Sequence, residues 1–219
     1  MRPGSIGIMG GTFDPIHRGH LAIAAHVRDA LGLERVLFIP AARPPHKRRS
    51  SVSSVEDRVE MVRLAVADQP GFELSLLEVE RAGPSWTADT VTELAARERA
   101  AGRTPDLTLI LSDETFRDLP GWHEPEQLFA ASRIAVVQRP GYAAPDRSWL
   151  AAQAHGAADR VDFLEGPRLD ISSTSIRNLV AEGRSIHGLV PDAVERYVAE
   201  HHLYRRSNDP EPHRRMATP

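Results

Sequence analysis

Apolar and polar positions follow two rhythms along this chain. Short, nearly unbroken apolar runs at 5–9, 35–40, 107–111, 134–138 and 161–164 read as strands, and another strand is expected over 72–79. Such continuous runs suit strands covered on both faces, as in a parallel sheet. Between them, apolar residues recur every three or four positions. Leu21, Ala24, Ala25, Val27 and Leu31 mark a helix from Gly19 to Leu31, with Gly32 as its C-cap. Val55, Val59, Val62 and Val66 mark a second helix over 55–67. Further helices are predicted at 87–100, 125–131, 148–155, 176–182 and 192–202. The first 40 residues read as strand, Gly-rich loop, helix, strand, which is a βαβ unit. The predicted fold class is α/β: a Rossmann-like, mainly parallel sheet with helices on both faces.

Residues 41–54 break the pattern. They hold Pro44, Pro45, His46 and four basic side chains, and are expected to form a loop. After Tyr204 the sequence is polar and proline-containing. The organisation expected is one domain over 1–204 and a disordered polar tail over 205–219.

Composition narrows the function classes. Among 219 residues, 27 are Lys or Arg and 30 are Asp or Glu, a net charge of −3. That balance gives no basis for nucleic acid or an anionic membrane as the main partner. The absence of cysteine excludes disulfides, thiolate catalysis and Cys-ligated metal. No apolar run approaches the ~20 residues of a membrane span, and the first residues lack a signal-peptide apolar stretch. A cytoplasmic enzyme or binding protein is expected.

Ligands of such sheets bind at the carboxyl ends of the strands, near the topological switch point. The loop after the first strand reads Gly10-Gly11-Thr12-Phe13-Asp14-Pro15-Ile16-His17-Arg18-Gly19-His20. Its glycines let a phosphate approach the backbone. The helix that follows aims free N–H groups and its positive dipole end at the same place. His17 and His20, three apart at a helix start, face the same way and can donate to phosphate oxygens. Neither a dinucleotide GxGxxG fingerprint nor a Walker A loop is present. Direct metal ligation by the two histidines lacks a third ligand in any His-Glu-x-x-His-like pattern. A second candidate is Ile171-Ser172-Ser173-Thr174-Ser175-Ile176-Arg177. A Ser or Thr there caps a helix. Four successive hydroxyls exceed what one cap needs, and Arg177 adds a potentially bidentate phosphate ligand. Cap and phosphate site weigh evenly.

These two motifs, with PPHK at 44–47, SWTADTVTEL at 85–94 and LPGWH at 119–123, resemble the His-x-Gly-His nucleotidyltransferase superfamily. Within it, the chain is similar to the bacterial nicotinate-nucleotide adenylyltransferases. The resemblance implies a step of NAD biosynthesis: ATP and nicotinate mononucleotide give nicotinate adenine dinucleotide and pyrophosphate. Mg²⁺ is implied as cofactor, carried on the ATP phosphates with no direct protein ligand. His17, His20 and Arg177 would be catalytic. Gly10, Gly11, Thr12, Phe13, Ser173 and Thr174 would bind ATP and its phosphates. Trp86, Thr87 and Trp122 would form the nicotinate pocket, where an indole can stack on a pyridine ring. Lys47 would reach a substrate phosphate, or else is a solvated loop cation. Arg139 would pair with substrate, or else ends a strand in a plain turn.

One stretch departs from the family. A Gly-x-Asp expected before Leu-Pro-x-Trp is here Ser112-Asp113-Glu114. Counting back from Leu119-Pro120-Gly121-Trp122 puts Glu114 in the acid's place, on a ribose hydroxyl or water-bridged Mg²⁺. A one-residue shift would choose Asp113 instead. His123 stands where an aromatic often follows the Trp. The alternatives are the same transfer to nicotinamide mononucleotide, and a nucleotide-binding regulator without turnover. Whether copies of the chain assemble is left open.

Overall fold

The computed structural model describes residues 1–43, 52–138, 150, 157–167 and 169–205. Six strands form one sheet: β1 (Arg2–Gly11), β2 (Leu33–Pro40), β3 (Phe72–Leu74), β4 (Asp106–Ser112), β5 (Arg133–Gln138) and β6 (Val161–Glu165). Their order is β3-β2-β1-β4-β5-β6, and each neighbouring pair is parallel. The order reverses between β1 and β4, so the switch point lies where the Gly10-Gly11 loop and Ser112 leave the sheet.

Eight α-helices accompany the sheet among the described residues: α1 (Arg18–Leu31), α2 (Val55–Val66), α3 (Leu77–Glu80), α4 (Thr87–Ala100), α5 (Asp113–Asp118), α6 (Pro125–Ala131), α7 (Ser173–Ala181) and α8 (Asp192–Glu200). The period of two in the strands divides the core. Ile6 and Ile8 of β1, with Ile134 and Val136 of β5, pack toward α4, α5 and α6. Met9, Ala135 and Val137 pack on the opposite face, with Val27 of α1, Met61 and Val62 of α2, Ile176 of α7 and Val194 of α8. Both faces are covered, which is why these strands are apolar throughout.

Two expectations need correction. The strand over 72–79 stops at Leu74, and residues 77–80 coil into α3. That turn buries Leu77 and carries the Glu78 carboxylate beside Thr90 of α4. A straight strand would place Leu77 and Glu78 on opposite faces. The short α5 was not expected at all. Ser112 caps it by accepting from the Thr115 amide at 3.2 Å. The predicted helix over 148–155 lies outside the described residues, save Leu150. No helix among the described residues is long and apolar enough to cross a membrane.

Candidate active site

The N-terminus of α1 is closed by its own histidines. His17 is the N-cap, in extended conformation, and its Nδ1 accepts from the His20 amide at 3.4 Å. His20 Nδ1 accepts in turn from the His17 amide at 3.2 Å. This is a reciprocal capping box with imidazoles in place of Ser and Glu. An Nδ1 that accepts a hydrogen bond carries no proton, so each neutral ring holds its proton on Nε2. The rings stack, with centroids 3.7 Å apart and planes 21° apart. Burial, and then the neighbouring His17, hold the His20 pKa well below the usual 6.5. Gly19 makes the stack feasible. A Cβ there would lie 3.0 Å from His17 Nδ1 and 3.1 Å from its Cε1. Phe13, in the left-handed region at φ 51°, sets its ring edge-on to His20 at 5.2 Å. A Cβ at Gly10 would meet nothing within 4 Å, so the crevice beside it is open.

The N-terminus of α7 arrives at the same loop. Ser172 caps it, accepting from the Ser175 amide at 3.1 Å. The remaining hydroxyls of the run are divided between other tasks. Ser173 Oγ donates to the Pro15 carbonyl at 2.9 Å, and Thr174 Oγ1 accepts from Arg177 Nη2 at 3.3 Å. Arg177 Nη1 donates to the Asp14 carbonyl at 2.7 Å. Two helix N-termini, two imidazoles and one guanidinium thus meet around residues 12–20. Every group in this set donates or is positive, which suits an anion.

Sequence reading missed the side chain that ties this region together. Arg58 of α2 is 2% exposed. Its Nη1 donates to the Thr12 carbonyl at 2.9 Å and to the Ala41 carbonyl at 2.7 Å, and its Nε donates to the Ser53 carbonyl at 3.2 Å. Burial pulls its pKa below the usual value, and the Asp14 charge pulls it back. Arg58 therefore fixes both ends of the 41–53 segment to the loop that follows β1. An Arg in a helix turn reads as a surface residue, and only a run of free carbonyls in space explains its burial.

The candidate ring pocket lies on the other side. Trp86, at the N-cap of α4, packs its ring 4.8 Å from that of His123. Trp122, next in chain to His123, is half-buried against the core under α4 and α6. The turn before Trp86 is held by Arg81, whose Nη2 donates to the Trp86 carbonyl at 3.3 Å and to Thr90 Oγ1 at 2.9 Å. Thr90 Oγ1 lies 2.8 Å from Glu78 Oε1, and burial pushes that carboxyl up. Ser85 and Arg43 exchange two hydrogen bonds, of 3.1 and 3.2 Å, so the segment leading to Lys47 starts beside Trp86. Thr87 opens α4 next to these groups. Lys47 and Arg139 themselves lie outside the described residues.

The departing stretch separates its two acids. Asp113 is 2% exposed, with Oδ2 accepting from Arg117 at 3.2 Å and Oδ1 unpartnered. Glu114 is exposed in the first turn of α5, at the carboxyl end of β4. Among the described residues, the groups close enough to hold an ion are Asp89, His123 and Glu124, and His187, Asp192 and Glu195. Neither includes the donors around residues 12–20.

Fold and site together define a nucleotidyltransferase of the Rossmann-like kind. The chain belongs to the cytidylyltransferase-like family, whose model matches residues 8–179. A protein of Roseiflexus sp. (strain RS-1) named "Probable nicotinate-nucleotide adenylyltransferase" is 48% identical over 205 residues, which is 94% of this chain and 100% of that one. A namesake from Geobacter metallireducens is 44% identical, covering 90% of this chain and 97% of its own. Among solved structures, Plasmodium falciparum nicotinic acid mononucleotide adenylyltransferase complexed with NaAD superposes with a TM-score of 0.74. That match covers 91% of this chain and 97% of the other at 18% identity, a likeness of fold.

Proposed function

We propose that this chain transfers AMP from ATP to nicotinate mononucleotide, giving nicotinate adenine dinucleotide and pyrophosphate. The names of the relatives supply the substrate class. The observation that carries the chemistry is the histidine capping box at the N-terminus of α1, in the same loop whose Asp14 carbonyl holds Arg177.

The reaction needs no protein nucleophile. A phosphate oxygen of the mononucleotide forms a bond to the α-phosphorus of ATP. The bond from that phosphorus to the bridging oxygen breaks, and pyrophosphate leaves with the electron pair. The attacking oxygen is already anionic, so no general base is required. The protein's task is to position two polyanions and stabilise charge on phosphate oxygens. His17 and His20 donate Nε2–H to those oxygens as neutral rings, and Arg177 adds a fixed positive charge. Mg²⁺, carried by the ATP phosphates with no direct protein ligand, would supply further neutralisation of their charge. Trp86 and Trp122 take the pyridine ring, with Thr87 and the backbone after Trp122 on its carboxylate.

Purified protein incubated with Mg-ATP and either nicotinate or nicotinamide mononucleotide tests this reading by pyrophosphate release. Release with the nicotinate form is expected. Preference for the nicotinamide form would keep the transfer and overturn the carboxylate pocket. Release with neither would overturn the function.

A further inference from the structure

We propose that Tyr204 is a positioning residue for this transfer, holding the Asp14 carboxylate so that the 12–15 turn stays seated under Arg177 and Ser173. The inference rests on the adenylyl transfer proposed above. It begins where α8 ends. After Glu200 the chain turns through His202 at φ 53° and Tyr204 at φ 64°, both in the left-handed region. Non-glycine residues there cost roughly 1 kcal/mol or more each, and persist where the surroundings over-determine them. The turn sends Leu203 and Tyr204 back onto the core. The Tyr204 hydroxyl then donates to Asp14 Oδ1 at 2.8 Å, across 190 residues of sequence. Burial, and next the Asp14 charge, push the Tyr204 pKa far up, so the phenol remains a donor at every working pH.

Asp14 is 3% exposed and sits in the middle of the phosphate loop. Its other oxygen, Oδ2, accepts from the Ser53 amide at 3.4 Å, and its carbonyl accepts from Arg177 at 2.7 Å. Four segments therefore converge on one residue: the phosphate loop, the entry to α2, the first turns of α7 and the C-terminal turn. Removal of the phenolic oxygen leaves Oδ1 buried without a partner, which is costly for a carboxylate. Arg58 already faces the Asp14 charge from its fixed place on the Thr12 and Ala41 carbonyls, and Arg177 is held on the Asp14 carbonyl. An Asp14 that shifts to find a new donor would carry its carbonyl with it, and so move Arg177 out of place for ATP.

The test compares Tyr204→Phe with Leu203→Ala, which loosens the same turn without touching Asp14. ATP affinity is read by calorimetry without acceptor, turnover by pyrophosphate release, and stability by thermal melting. For Tyr204→Phe, the ATP Kd is expected to rise and kcat to fall, each about tenfold, with the KM for nicotinate mononucleotide within about twofold. For Leu203→Ala, the melting temperature falls while the ATP Kd stays within about twofold. An unchanged ATP Kd in Tyr204→Phe, or equal ATP losses in the two variants, would overturn the proposal. Should wild-type protein release no pyrophosphate with either mononucleotide, the acceptor reading falls, and the ATP arm still decides the role of Tyr204.

Discussion

The two sides of the crevice are built on different plans. On the phosphate side, the two imidazoles sit at a helix N-terminus and hold each other's backbone amides three residues apart, while Arg177 and Ser173 reach across the sequence to the Asp14 and Pro15 carbonyls. On the ring side, Trp86 and the neighbouring residues Trp122 and His123 come from separate segments, and Trp86 meets His123 where α4 and α6 pack together. The imidazole donors are thus locked locally, with tautomers set by backbone amides. The ring side is set by tertiary packing. Charge stabilisation in a transition state rewards fixed donors, since a donor that must reorient loses most of its effect. Recognition of a flat ring asks for a surface of the right chemistry, and stacking tolerates small shifts.

That contrast is sharpest in the effect of single substitutions. His20→Ala removes one donor and half of the capping box, and is expected to lower kcat by about 10²–10³-fold with the fold retained. Near-normal turnover in this variant would remove the phosphate role. Arg58→Met leaves the Thr12, Ala41 and Ser53 carbonyls without their donor, and is expected to cost about 2–4 kcal/mol in urea unfolding. A loss confined to a few tenths would mean that water replaces the guanidinium. Trp86→Ala, on the ring side, is expected to raise the KM for nicotinate mononucleotide about three- to tenfold with kcat largely kept. A kcat loss as large as that of His20→Ala would break the comparison.

The smallest effect expected is on pH. The folded-state pKa of His20 is depressed below 6.5, so its neutral form prevails at neutral pH. Its contribution to stability is fully present above that unfolded value and is lost as pH falls through the lower folded value. Protonation also places a hydrogen on Nδ1 and expels the His17 amide. A pH series of kcat and melting temperature should therefore be flat in this group above about 6.5 and decline on the acid side.

The same division explains what the sequence made legible. The βαβ start and the α1 boundary at Gly32 follow from nearest neighbours, and periodicity finds them, whereas the helix expected over 176–182 begins earlier, at Ser173, with Ser172 as its cap. The alternation in Phe72 to Val79 imitates a strand, yet Leu77 enters the core beside Ala88 and Val91 by way of a helical turn. Helix α5 is too short and polar to show a period. Arg58, Asp14 and Tyr204 were passed over because a charge or phenol is explained by its partners, and these lie 5 to 190 positions away. Motif counting placed Glu114 in the family's acid position. The exposure of Glu114 and burial of Asp113 on either side of one peptide bond come from the helical turn that begins there.

The measurement that tests the phosphate-side account most directly is nitrogen NMR of imidazole-labelled protein at neutral pH, with His17→Ala and His20→Ala used to assign the signals. Both rings should be neutral, with the proton on Nε2 and a bare Nδ1, and the Nε2–H signals should shift when Mg-ATP is added. Protonated Nδ1 atoms, or imidazolium rings that do not respond to ATP, would contradict it.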